Sequence, residues 1–254
     1  MNLTIIKALK KLEERENIKI LFACESGSRA WGTHSDKSDY DVRFIYIRKI
    51  NWYLQLYEGS ETIEETLNAR IEIIGWDLKK SLKLLQKSNT TILEWIHSPI
   101  VYLCDEVFTT KLKEFADLAF SSSSTIYHYV NMAKKNLQSL RKEEKDSTKR
   151  YLNILRPIVN CLWIVEYGKM PISNITSLFH HYLNDPVMIN QFELLIQAKK
   201  GGYRYFKSQQ LDIYIEDIIP IIEEKVKNVQ HKHTYLTNTF NQFFIEIVTN
   251  GEES

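Results

Sequence analysis

A chain of 254 residues, 44% hydrophobic and 26% charged, is long enough for one or two domains with a sizeable core and ordinary in composition for a soluble globular protein. A formal net charge of +1 excludes a global pull toward nucleic acid, so such a partner would have to be held by a local basic patch. Three scattered cysteines, Cys24, Cys104 and Cys161, argue against a disulfide framework or a zinc-ligand spacing; with no signal-peptide core and no apolar run near the roughly 18 residues that span a bilayer, the expectation is a cytoplasmic protein without a membrane segment.

Residues 2 to about 16 place Leu3, Ile6, Leu9 and Leu12 at helical intervals with Lys and Glu opposite, which predicts an amphipathic helix covering a sheet. Apolar runs at 18–24 and about 40–48 predict strands. A polar stretch, Glu58 to Arg70, separates them from a third strand at Ile71 to Trp76, after which Asp77 can cap a helix beginning at Leu78. Asn89 to His97 reads as a further helix, stopped by Ser98-Pro99, and Ile100 to Cys104 as a last strand. The four serines from Ser121 to Ser124 mark either a linker or a tight turn. Beyond them Tyr127 to Arg141, Tyr151 to Gly168, Ile213 to Val229 and Tyr235 to Val248 carry helix-spaced apolar residues, with Pro157 and Pro220 as kinks or first-turn residues. The fold class is therefore α+β followed by an all-α part, divided at 1–120 and 121–254.

The stretch from Gly27 to Asp41, GSRAWGTHSDKSDYD, joins the first two strands and carries the chemistry. Asp39 and Asp41 are two residues apart, so on a strand both carboxylates point the same way; two like charges that close are usually reconciled by a divalent cation. Gly27 allows close backbone approach to a ligand, and the Ser28 hydroxyl and neighbouring N–H groups suit phosphate oxygens; an ordinary β-turn is the plain alternative. Arg43 shares the face of Asp41 and could neutralise phosphate or pair with a carboxylate.

Gly27-Ser28-x-x-x-Gly32 followed by Asp39-x-Asp41 resembles the signature of the DNA polymerase β nucleotidyltransferase superfamily, and SDYDVRFIYIR, IIGWDLKKSLKLLQKSN and LEWIHSPIVY resemble its RlaP group, the predicted nucleotidyltransferases associated with RNA ligases. The resemblance implies that 1–120 is a catalytic domain, a small mixed sheet with flanking helices, and that 121–254 is its helical partner. It also implies an enzyme that moves a nucleoside monophosphate from an NTP to an acceptor hydroxyl with two Mg²⁺ ions held by Asp39, Asp41 and a third acid. Glu72, an acid in the middle of an apolar strand, is favoured as that third acid over Asp77, although the group more often has Asp at the Glu72 position. The triphosphate would lie on Gly27 and Ser28. In the helical part Lys149 and Arg156, seven residues apart on one helix face, resemble the region where related enzymes hold the nucleotide's base or phosphates; a solvated basic stripe is the alternative. The group's association with RNA ligases points to RNA ends as acceptor. A protein side chain, a small metabolite, or a non-catalytic nucleotide- or RNA-binding module are the alternatives. The tandem His180-His181 and His231-Lys232-His233 are expected to be surface residues, and the sequence has no Walker A, GxGxxG or GxSxG motif.

Overall fold

A computed structural model describes residues 2–250 apart from 58, 143–144, 172–173, 184, 228 and 230–235. In chain order the elements are α1 (Asn2–Glu16), β1 (Ile18–Ser26), α2 (Gly27–Ala30), β2 (Tyr40–Arg48), α3 (Ile50–Tyr53), β3 (Thr62–Asn68), β4 (Ile71–Asp77), α4 (Leu78–Gln86), α5 (Thr90–Ile96), β5 (Val101–Cys104), α6 (Glu106–Ala119), α7 (Ser122–Lys142), α8 (Ser147–Tyr167), α9 (Ile175–Tyr182), α10 (Pro186–Lys200), α11 (Gln209–Lys227) and α12 (Thr237–Asn250). No helix among the described residues is long and apolar enough to cross a membrane. The chain forms two compact units. A sheet unit comprises Met1–Ala30, Asp39–Ala119 and the segment containing α12; a helical unit comprises Trp31–Ser38 and the chain from Phe120 through α11.

The sheet unit is built on five strands in the order β3-β4-β2-β1-β5, antiparallel except for the parallel pair β2–β4. One face is covered by α1, whose Ile5, Leu9 and Leu12 are buried with Val42, Phe44, Ile71 and Ile73. Leu9 and Leu12 are buried as expected, Ile6 is partly buried, and at the start of the helix Ile5 takes the buried place while Leu3 stays exposed. Strand alternation sends Asp41, Arg43, Ile45 and Ile47 to the other face. There Ile45 and Ile47 are buried toward the end where α4 and α5 pack, and Trp76 of β4 lies 4.0 Å, centroid to centroid, from Trp95 of α5. That leaves the end bearing Asp41 and Arg43 for chemistry.

Two signals were weaker in the sequence than in the fold. The stretch expected to be only a polar separator contains β3, an edge strand whose Ile63 is buried while its other side chains reach solvent. A strand paired on one side and wetted on one face needs little apolar content, so polarity does not exclude it. The serines are not a linker either. Ser122, Ser123 and Ser124 form the first turn of α7, and Thr125 donates its backbone N–H to the Ser121 carbonyl at 3.0 Å.

The helical unit is cored by Tyr129, Leu155, Phe179, Phe192 and Leu211, one from each of α7 to α11. Pro157 and Pro220 both sit inside helices rather than at their first turns. The two units part between Ala119 and Phe120, with Trp31–Ser38 grouped with the helices and α12 with the sheet. Its Phe243 ring stacks on Phe108 and Phe115 of α6 at 5.9 and 4.4 Å, and its Phe244 meets Tyr53 of α3 edge-on. An aromatic helix of this kind follows the apolar surface it fits, whatever its place in the chain order.

Candidate active site

The site begins where β1 ends. Gly27 adopts φ +62°, a conformation that costs a side-chain-bearing residue roughly 1–2 kcal/mol, and a Cβ built there would lie 2.0 Å from Oδ2 of Asp41. The glycine therefore serves two needs: it turns the chain out of the sheet, and it leaves room for a carboxylate to lie against its backbone. Ser28 follows, half-buried in the short α2.

In the β2–β4 register Asp41 stands beside Glu72, with Ser26 of β1 on its other side. Parallel neighbours in register project to one face, so the two carboxylates share the open end of the sheet. Arg43, two residues on, lies between them. Its Nη2 donates to Glu72 Oε2 at 2.6 Å and to Asp41 Oδ1 at 3.4 Å, and its Nη1 donates to the Val42 carbonyl at 3.0 Å. Of its two expected roles Arg43 takes carboxylate pairing. Glu72 is not buried mid-strand as its apolar neighbours implied, since its side chain is 50% exposed. Only alternate residues of β4, Ile71, Ile73 and Gly75, face the packed layer, whereas Glu72 belongs to the open set.

Asp39 is exposed and precedes β2, which starts at Tyr40, so strand alternation does not extend to it. It is held through its backbone: Arg29 Nε donates to the Asp39 carbonyl at 3.1 Å while the Arg29 guanidinium lies 3.7 Å over the Tyr40 ring. Asp77 stands five residues along β4 from Glu72, roughly 16 Å away and on the opposite face. It caps α4, accepting from the Lys79 N–H at 2.8 Å, and accepts from the Tyr53 hydroxyl at 2.7 Å. Glu72, and not Asp77, is thus the acid beside Asp41.

The sequence reading missed Glu25. This residue is fully buried, two positions before Gly27, and its Oε1 accepts the backbone N–H of Asp41 at 2.9 Å while Oε2 accepts the Tyr102 hydroxyl. Its own carbonyl accepts from Ser98 Oγ at 2.6 Å. Burial pushes its carboxyl pKa up, against the lowering effect of the Tyr102 and Asp41 hydrogen bonds. An acid closing an apolar run was the available signal, because such a group is costly unless it is partnered.

In the helical unit, Lys149 is exposed in the first turn of α8. Arg156 is buried, its guanidinium 3.8 Å over the Trp31 ring and 5.9 Å from that of Tyr129. Seven-residue spacing puts both on one side of α8, but one reaches solvent and the other is packed. His180 and His181 are exposed at the end of α9, and His231 and His233 lie outside the described residues.

The model of a family described as the RNA repair pathway DNA polymerase beta family, RlaP, matches residues 1–246. This chain belongs to the RlaP family. It is 36% identical over 253 residues, covering 98% of this chain and 96% of the relative, to the uncharacterized protein YcgL of Bacillus subtilis (strain 168). A crystal structure of a nucleotidyltransferase-like protein from Exiguobacterium sibiricum 255-15 aligns over 97% of this chain and 80% of its own, at 14% identity and a TM-score of 0.33. RlaP membership points to a nucleotidyltransferase of the polymerase β type with a nucleotide substrate. Enzymes of that type generally use divalent metals. Among the described residues no three His, Cys, Asp or Glu side chains are gathered closely enough to hold a metal ion on their own.

Proposed function

We propose that this RlaP chain transfers a nucleoside monophosphate from an NTP to an acceptor hydroxyl, with an RNA end as the acceptor. The observation that carries this reading is the pairing of Asp41 with Glu72 on an open sheet face, with a glycine turn fitted against Asp41. In the transfer the acceptor oxygen bonds to the α-phosphorus, the bond from that phosphorus to the bridging oxygen breaks, and pyrophosphate leaves with the electron pair.

The donor set fits a hard cation. Mg²⁺ commonly takes one or two protein carboxylates and completes its shell with phosphate oxygens and water, so Asp41 and Glu72 would suffice as its protein ligands once a triphosphate is present, with Asp39, exposed just before β2, as a further candidate. Two such ions, when bound, supply charge neutralisation on the attacking and leaving oxygens. The chain's own residues do the rest. The Gly27–Ser28 turn receives phosphate oxygens on its backbone N–H groups and hydroxyl. Arg43 pairs with both Asp41 and Glu72 and is placed to exchange one of them for phosphate. Glu25 fixes the backbone of Asp41, and Glu72, the register partner of Asp41 on the open face, is the carboxylate for taking the acceptor's proton.

Incubation with each labelled NTP, Mg²⁺ and an RNA, protein and metabolite mixture tests this. Label should move to RNA in the wild type and remain in NTP for Asp41→Asn and Glu72→Gln, both correctly folded by circular dichroism. Transfer by a folded Asp41→Asn protein at near wild-type rate would end the assignment, and label on protein or metabolite would correct the acceptor.

A further inference from the structure

The site leaves one conspicuous sequence motif unused: Lys199-Lys200-Gly201-Gly202-Tyr203-Arg204-Tyr205-Phe206-Lys207, from the last residues of α10 toward α11 of the helical unit. From Gly201 onward it has no regular secondary structure, yet it is pinned. Thr148 donates its backbone N–H to the Arg204 carbonyl at 3.2 Å, and Ser147 Oγ donates to the Phe206 carbonyl at 2.8 Å while accepting the Phe206 N–H at 2.9 Å. Phe206 is half-buried and meets the Tyr151 ring edge-on at 5.7 Å. The strap is therefore riveted to the first turn of α8 through alternate residues.

What it displays is unusual for a surface loop. Tyr203 and Tyr205 are 70% and 57% exposed, and Arg204 and Lys207 are exposed beside them. The Tyr203 ring rests on Gly201, where a Cβ would lie 2.8 Å from it, so the ring is pre-positioned at low entropy cost. Tyr205 and Lys207 also line a cavity of about 240 Å³ with Arg141 and Ser147. Arg204 pairs with Asp146 and Arg141 with Glu216, but every one of those side chains is at least 40% exposed. Ion pairs that exposed contribute only about 0–1 kcal/mol, so a phosphate can replace the carboxylate at little cost.

We infer that the Tyr203–Lys207 strap is a binding platform for single-stranded RNA, with bases stacked on Tyr203 and Tyr205 and phosphates held by Arg204, Lys207 and Arg141. Aromatic faces interleaved with cations suit a single strand, because every unpaired base offers a π-face and every linkage a charge. The run from Lys199 to Lys207 carries four cations and no acid, although Asp146, Asp212 and Glu216 lie against it, and it is the stretch from which a chain of net charge +1 could build a local contact with nucleic acid. It deepens the transfer reading by placing the RNA contact of the acceptor on the helical unit, and it rests on that reading only for the choice of RNA.

The test is fluorescence anisotropy of the full chain with a labelled single-stranded RNA oligomer and no nucleotide, so that a catalytic site wrongly assigned would leave the result intact. Tyr203→Ala with Tyr205→Ala should weaken binding at least tenfold, whereas the Tyr203→Phe, Tyr205→Phe pair should retain it. Arg204→Gln with Lys207→Gln should weaken binding and flatten its salt dependence. NTP affinity by calorimetry should be the same in every variant. Unaltered RNA binding by the alanine pair overturns the platform, as does a wild type that binds no single strand or binds duplex RNA equally well.

Discussion

Asp41 is held from three directions, and each can be loosened separately. Below it the Glu25 carboxylate takes its N–H, beside it Arg43 takes its carboxylate, and against it lies the bare backbone of Gly27. Gly27→Ala should therefore abolish transfer while lowering stability by only about 1–2 kcal/mol, since the methyl displaces the carboxylate as well as straining the turn. Rates and denaturant melts on one preparation check this, and a Gly27→Ala enzyme losing stability but keeping its rate would reduce the turn to a hinge. In the proposed transfer Glu25 would act through Asp41, as a positioning residue. Glu25→Ala should lower kcat with KM for NTP little changed, and Glu25→Gln, which keeps an oxygen for the Asp41 N–H, should recover most of the rate. An equal loss in both variants, tracking stability, would make Glu25 a packing residue only.

At the scale of elements, β4 shows how a single strand serves two ends of the sheet. Glu72 opens to the site, and five residues later Asp77, on the other face, closes α4. Burial lifts the Asp77 carboxyl to about 6 in the folded protein, from about 3.9 in a free chain. Between those values the native state keeps a proton that the unfolded chain has released, so this group's contribution to stability falls as pH rises from about 4 to about 6. Asp77→Asn retains the cap and an acceptor for Tyr53 but cannot titrate. The stability difference, wild type minus Asp77→Asn, should therefore decline over that window by on the order of 1–3 kcal/mol and be flat outside it, and a difference curve flat throughout refutes the buried-acid account. The same strand shows what was legible in the sequence. The apolar runs of β1, β2 and β4 and the Asp77 cap announce themselves through local pattern, and strand alternation suffices to set Asp41 and Arg43 on one face. The pairing of Asp41 with Glu72 instead of Asp77 depends on β2–β4 register, which no local pattern states. β3 was invisible because an edge strand can be polar, and Glu25 was overlooked because its partner Tyr102 lies 77 residues away.

At the scale of the whole molecule the decisive element is α12, which follows the helical unit in sequence and yet belongs to the sheet unit. Its Phe240 and Phe243 are buried, and both rings meet Phe115 of α6. Phe243→Ala should cost the sheet unit about 3–5 kcal/mol, read as an earlier loss of protection in its strands by hydrogen exchange, while protection of α7 and α8 is unchanged. Uniform loss of protection across both units would show that they melt as one. The arrangement also sets an order on synthesis. The ribosome makes α6 and then the entire helical unit before α12 emerges, and at roughly 5–20 residues per second that interval is on the order of ten seconds. Throughout it the nascent chain carries a sheet whose α6 aromatics await their cover, so most of the unit bearing the carboxylates is translated before the helical unit and completed after it.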